Sequence, residues 1–312
     1  MTGPRWGLVA TVKAPLTDIL AFAAYHLDLG AHRLYIYLDD PHPQAFAALK
    51  AHPKVRVTLC DDAYWARTGK TRPAKHQVRQ CVNATHAYAR RVEVDWLAHI
   101  DVDEFLWPQT PPLADLLAAL PSDTLAARVR PIEALAGGDG TAFKAFLPSD
   151  TRRHLVEDLY PTFGRHIRGG FLSHVAGKLL MRTGLAGVEL RIHNAMQDGA
   201  QIASTELASV DLCHLHAKPW EEWRATYRYR LEKGSYRAEL PPAIPRNDGG
   251  MNLHDLLTYL EQTEGEKGLR AFFDEVCADT PALRARLDSR GLLRQRDLSL
   301  DSKIQRHFPD FR

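Results

Sequence analysis

Three carboxylates stand together in Asp101-Val102-Asp103-Glu104, directly after the apolar run Trp96-Leu97-Ala98-His99-Ile100. If extended backbone carries on through them, Asp101 and Asp103 point to the same side, because side chains alternate along a strand. Like charges that close repel unless a cation or hydrogen-bond donors separate them. A divalent cation answers the repulsion, and hard oxygen ligands select Mg²⁺ or Mn²⁺, which keep waters and take phosphate oxygens to complete an octahedron. The bland alternative is a solvated strand end whose aspartate caps the next turn. Glu104 has the weakest claim of the three, since a supporting or capping carboxylate explains it as well.

A second group lies in Val210-Asp211-Leu212-Cys213-His214-Leu215-His216-Ala217-Lys218-Pro219-Trp220, where alternation sets His214, His216 and Lys218 on one face. Three potential cations on one side of a strand suit an anion. A neutral imidazole from His214 or His216 offers a cation a further ligand beside Asp103, and Lys218 offers a phosphate oxygen a point charge. The competing reading has one histidine packed structurally and Lys218 solvated before a proline-started helix.

Weaker candidates surround these. Lys13 ends a first apolar run and Asp39-Asp40 end a second, where they are either ligand contacts or turn residues before Pro41. Arg79, Asn83, His86 and Arg90 form a polar helical stripe, which is usually a solvated face; Asn83 is the member with a further claim. Arg224, Arg228, Arg230, Lys233 and Arg237 alternate with Trp223, Tyr227, Tyr229 and Tyr236. The favoured reading sends the aromatics inward and the cations into water, partly balanced by Glu221, Glu222 and Glu232. The other reading, an anionic lipid headgroup or a phosphorylated acceptor, leaves peripheral membrane contact open.

The elements that position these groups follow from hydrophobic period. Strand-like runs at 6–13, 33–38, 54–60 and 96–100 alternate with helical patterns at 18–29, 41–52 and 74–92, a βαβαβαβ series. In the last helix Val78, Val82, Thr85, Tyr88 and Val92 make the expected core face. Strands joined in this way run parallel and bind ligands beyond their carboxyl ends, which is where the acidic string falls. From Pro131 the regularity fails, with short β-like runs at 178–182, 188–193 and 210–215. After Lys218 the pattern is helical again. The economical division is an α/β half at 1–130, a mixed α/β half at 131–218 and a helical appendage at 219–312, all in one compact unit.

In this setting the string Trp96 to Leu106, with Asp101-Val102-Asp103-Glu104-Phe105 at its centre, resembles the D-x-D-E-F segment of bacterial glycosyltransferases of the family 2-like and family 92-like groups. The similarity extends to Val12-Lys13, His26-x-x-x-Gly30-Ala31, Tyr35-Ile36-Tyr37-Leu38-Asp39-Asp40, Gly177-Lys178 and His214-Leu215-His216-Ala217-Lys218, covering roughly residues 6 to 235. The family usually has Lys-Asn-Glu where this chain has Lys13-Ala14-Pro15, and an acidic-Trp pair where it has Ala21-Phe22. The resemblance implies a GT-A fold, which is a Rossmann-like, mostly parallel sheet. It implies that Asp101 faces the ribose or a metal-bound water and that Asp103 binds the Mn²⁺ or Mg²⁺ bridging a donor diphosphate. Lys13, Asp39, Asp40, Asn83 and Lys178 join the expected nucleotide-sugar contacts, and Lys178 and His193 also resemble positions near the acceptor.

Forty Lys and Arg against 38 Asp and Glu leave a formal charge of +2 across 312 residues, which lacks the long-range field of a nucleic-acid binder. Neither a signal peptide nor a membrane span fits the apolar runs, so a cytoplasmic location is expected. Cys60, Cys81, Cys213 and Cys277 have no zinc or disulfide spacing and read as small buried hydrophobes. The leading expectation is a metal-dependent transferase carrying a sugar from a nucleotide diphosphate sugar, a UDP-sugar first, to a glycan or lipid-linked glycan acceptor, with surface polysaccharide as one destination. A non-catalytic sugar-nucleotide or glycan binder is the alternative. A metal-dependent phosphohydrolase is a weaker one, because its aspartates belong after the first strand and before a hydroxyl residue.

Overall fold

The computed structural model describes residues 3–90, 92–147 and 152–311. In chain order its elements are β1 (Trp6–Val12), α1 (Leu16–Asp28), β2 (Arg33–Leu38), α2 (Pro43–Ala51), β3 (Val55–Leu59), α3 (Asp62–Arg67), α4 (His76–Ala89), β4 (Trp96–His99), β5 (Glu104–Pro108), α5 (Leu113–Ala118) and β6 (Ala126–Ala134). There follow β7 (Ala142–Lys144), α6 (Arg152–Leu159), β8 (Lys178–Arg182), β9 (Val188–Leu190), β10 (Ala195–Gln197), β11 (Ala200–Gln201) and β12 (Thr205–His214). The last are α7 (Trp220–Glu232), α8 (Leu253–Glu264), α9 (Glu266–Val276), α10 (Pro281–Asp288), β13 (Leu293–Gln295) and α11 (Leu300–His307). They form two compact units. One comprises residues 1–130, 176–212 and 298–312, the other 131–175 and 213–297.

The first unit is mixed α/β. Its sheet runs β6-β8-β4-β1-β2-β3. The four strands from β4 to β3 are parallel, with Leu8 beside Ala98 and Ala10 beside Ile36, whereas β8 and β6 join antiparallel. Every residue of β1 is buried, as a parallel strand covered on both faces requires, and its sequence is accordingly an unbroken apolar run except for Gly7 and Thr11. A core including Val9, Tyr37, Trp65, Tyr88, Leu97 and Met181 lies against α3 and α4.

Three expectations change here. The segment 62–67, left without an element by periodicity, is α3, capped by Asp61, whose carboxylate accepts the Tyr64 N–H at 2.7 Å. The helix over 74–92 is shorter, and it turns a different face inward. Gln80, Asn83, Ala84, Ala87 and Tyr88 are buried, while Val78 is 45% exposed. Gln80 and Asn83 go inside because each finds hydrogen-bond partners there, which removes the penalty for burying an amide. The acidic string, thirdly, is not extended. The strand ends at His99, and Asp101 to Asp103 make a turn into β5, so alternation does not govern where the two aspartates point.

The second unit has a small antiparallel sheet, in which Lys144 of β7 lies between Glu133 of β6 and Leu293 of β13, and a helical body. Its core gathers Trp223 and Tyr227 of α7, Leu257 of α8, Phe272, Phe273 and Val276 of α9, and Tyr160 and Tyr236. The inward aromatics expected of α7 are Trp223 and Tyr227, with Tyr229 left 63% exposed. Among the described residues no helix is long and apolar enough to cross a membrane.

Candidate active site at an acidic turn

The turn after β4 is held from every side within the first unit. Its backbone closes on itself: the Asp101 N–H donates to Glu104 Oε2 at 2.7 Å, and the Glu104 N–H donates to the Asp101 carbonyl at 3.1 Å. Glu104 is thus the capping carboxylate that its sequence position allowed. Beneath the turn, Lys178 at the start of β8 is fully buried and places its ammonium 2.7 Å from Asp101 Oδ2 and 3.4 Å from Glu104 Oε2. Gln80 of α4 donates to the other Asp101 oxygen, Oδ1. Lys178 can sit here because Gly177 precedes it. With φ at 72° and a would-be Cβ 2.1 Å from the Val129 carbonyl oxygen, that position takes no side chain.

Burial by itself would raise the Asp101 carboxyl. The Lys178 ammonium overrides it and holds the group below the usual carboxylate range. Burial would likewise lower Lys178, but Asp101 and Glu104 keep its pKa raised. His99, at the end of β4, is pushed down to about 4 by burial and by the Lys178 charge, so it is neutral and hydrogen-bonded through Nδ1 to the Arg191 carbonyl at 3.1 Å.

From the far side α1 grips the exit of the turn. His26 Nε2 accepts the Leu106 N–H at 3.3 Å, which leaves the proton on Nδ1 for the Phe22 carbonyl at 2.8 Å. The Tyr25 hydroxyl donates to the Leu106 carbonyl at 2.9 Å. Burial lowers His26 to about 3, so this clamp stays uncharged. Asp103 is only part-buried at the head of the turn. Both Asp101 oxygens are thus engaged by the protein, with 26% of the side chain still exposed. Carboxylate oxygens are the donors a hard cation takes, so the residue types of this turn suit one.

The other carboxyl ends of the sheet carry the remaining expected contacts of this unit. Asp39, after β2, is enclosed: Arg79 holds both its oxygens at 2.7 to 3.0 Å, His76 lies at 3.1 Å and Arg72 at 3.2 Å. Burial would raise its carboxyl, but His76 and Arg79 hold it well below its ordinary value. Asp40 pairs with Lys13 at 2.6 Å, and that hydrogen bond lowers its carboxyl. Asn83 is fully buried, donating to Thr11 Oγ1 at 3.0 Å and accepting from the Tyr64 hydroxyl at 2.7 Å. Sequence reading left out Gln80, Arg72 and His76 and placed Arg79 on a solvated face. Their partners lie 21 to 40 residues away in the chain, where helical periodicity carries no signal.

His214, His216 and Lys218 belong to the second unit, where His214 ends β12 and the other two follow it. The His214 ring lies 5.2 Å from that of His216 and 5.3 Å from that of His174. Arg230 donates to His216 Nε2 and to the His216 carbonyl, both at 3.0 Å. A guanidinium only donates, so Nε2 is the unprotonated nitrogen and Nδ1 carries the proton. Lys218 is part-buried before α7. Along α7, Arg224 pairs with Glu266 at 2.7 Å and Arg228 with Glu261 at 2.5 Å, in keeping with a charge-balanced surface. His193, in the first unit, bonds through Nδ1 to the Gly177 carbonyl at 2.9 Å.

No family model and no curated protein matches the chain. Among solved structures, the crystal structure of HddC from Yersinia pseudotuberculosis is similar over 58% of this chain and 74% of that one, at 12% identity and a TM-score of 0.30. A likeness of that size carries no weight for the fold or for the activity.

Proposed function

We propose that this protein is a metal-dependent glycosyltransferase of GT-A type that takes its sugar from a nucleotide diphosphate sugar, a UDP-sugar first, and passes it to a glycan acceptor. The observation that carries the reading is the Asp101–Asp103 turn at the carboxyl end of a parallel strand, with Asp101 held from below by Lys178 and Gln80 and Asp103 part-buried two residues further on. Mn²⁺ or Mg²⁺ bound there would stabilise charge on the departing diphosphate more in the transition state than in the ground state. Asp103 supplies the hard oxygen ligand. Asp101, kept ionised by Lys178 and oriented by Gln80, accepts a hydrogen bond from a water or a ribose hydroxyl. Lys13 at the end of β1 and Arg72 beside Asp39, with side chains 64% and 41% exposed, present the cations a diphosphate needs.

Thermal unfolding tests this directly. UDP should raise the melting temperature with Mn²⁺ present, because a ligand that binds only the folded state stabilises it by mass action. Asp103→Asn should remove that increment and leave the ligand-free melting temperature almost unchanged. Equal stabilisation by UDP in EDTA would sink the metal assignment, and no stabilisation by any nucleoside diphosphate would sink the reading as a whole.

A further inference from the structure

The outer face of α4, remote from the bonds that Gln80 and Asn83 make inward, lines an open groove over its middle turns. Val78, Cys81 and Val82 lie on it, and with Leu190 and Ile192 they floor a groove of ≈ 920 Å³. Thr85 Oγ1 accepts the Leu190 N–H at 3.0 Å and fastens β9 to α4 as one wall; α3 and the residues after it form the other. These are valines whose spacing marks a core face; Val82 is partly buried against that core, while Val78 is left 45% exposed because the helix buries its amides there instead.

The rim is cationic. Arg67, Lys70, Arg90 and Arg191 stand around the groove against one acid, Glu189, which already pairs with Arg191 at 2.6 Å. Among the described residues neither Arg67 nor Lys70 has an ion-pair partner, and both are exposed. No exposed phenyl, phenol or indole ring lines the site, Tyr64 being buried. An aliphatic floor with unbalanced positive charge at its edge complements a ligand with an aliphatic body and an acidic head. From Gln77 to Arg90 the helix runs about 20 Å, enough for a chain of ten or more carbons at roughly 1.5 Å per helical residue.

We propose that this groove binds a lipid phosphate, a single alkyl or isoprenoid chain ending in a phosphate, with the chain along Val78 and Val82 and the phosphate at Arg67 and Lys70. The proposal stands on the groove and does not depend on the glycosyltransferase reading. Octyl phosphate, below its micellar concentration, is the probe for calorimetry on the whole chain, with inorganic phosphate and octyl glucoside as comparators. Octyl phosphate should bind at least about tenfold more tightly than either, since each comparator lacks one half of the recognition. Val78→Asp, and Arg67→Glu with Lys70→Glu, should each weaken it about tenfold while leaving the melting temperature and Mn²⁺-dependent UDP binding unchanged, because all three side chains are exposed. Equal binding of inorganic phosphate, equal binding of octyl glucoside, no binding, or indifference to the variants would each overturn the proposal. A loss of UDP binding in every protein tested, with octyl phosphate binding intact, would count against the sugar-transfer reading alone.

Discussion

Each unit contains a fully buried lysine paired with a carboxylate, and the two pairs are finished differently. In the second unit Lys144 lies 2.7 Å from Glu133 and also donates to the Val276 carbonyl at 3.1 Å. Glu133 accepts the N–H groups of Leu172 and Ser173 at 3.1 and 2.8 Å. Nothing in that pair reaches water, and it fastens β6 and β7 to the loop before residue 175 and to the end of α9. In the first unit Lys178 also sits at 0% exposure, but the carboxylate it holds, Asp101, keeps 26% of its side chain exposed and stands two residues before Asp103. The same chemistry closes a fold in one place and aims a carboxylate in the other. What separates the two is whether the acid's remaining edge is filled by backbone donors or left at a turn.

The largest effect should come from breaking the sealed pair. Lys144→Met leaves Glu133 buried without its cation and should cost about 3–5 kcal/mol in urea unfolding, while Lys144→Met with Glu133→Gln should recover much of it. A single variant as stable as the parent would show that Lys144 does not hold the unit together.

Removing the lysine beneath the turn separates aim from stability. Lys178→Met should destabilise the protein and also weaken Mn²⁺-dependent UDP binding about tenfold or more, the size of one lost charge-assisted hydrogen bond. Adding Asp101→Asn should restore stability and leave the UDP defect in place. Were the double variant to bind UDP as the parent does, Lys178 would be a structural lysine like Lys144, and the contrast between the units would collapse.

Acid sharpens the same comparison by a smaller margin. Burial would raise Glu133, but Lys144 brings it down to about 2, against an ordinary 4.5. The folded state therefore binds this proton more weakly than the unfolded one. The pair's contribution is complete above pH 4.5 and is lost as the pH falls toward 2. The difference in unfolding free energy between the parent and the Lys144→Met, Glu133→Gln variant should be constant from pH 7 to 5 and shrink below that. A difference independent of pH down to 2.5 would mean that Glu133 is not held ionised by the pair.

The α/β alternation of the first hundred residues was legible because a strand or helix writes its period into consecutive side chains. Arg33–Leu38 and Lys178–Arg182 come out as strands with the bounds that their apolar runs suggest. The acidic string was legible for the same reason: an apolar strand running into three carboxylates is a local pattern. Residue order could not say what holds Asp101. Lys178 is 77 residues from Asp101 and Gln80 is 21 away, and both reach it only once β8 lies beside β4 and α4 has turned its amides inward. The inward face of α4 was misjudged for a related reason. Hydrophobicity ranks Val78 above Gln80, but a buried amide with a carboxylate partner costs little, and the partner belongs to another element. Local sequence determined the elements, the carboxyl end where chemistry can sit and the residue types gathered there. Only the tertiary structure decided how Asp101 is held, because that follows from distances between residues far apart in the chain.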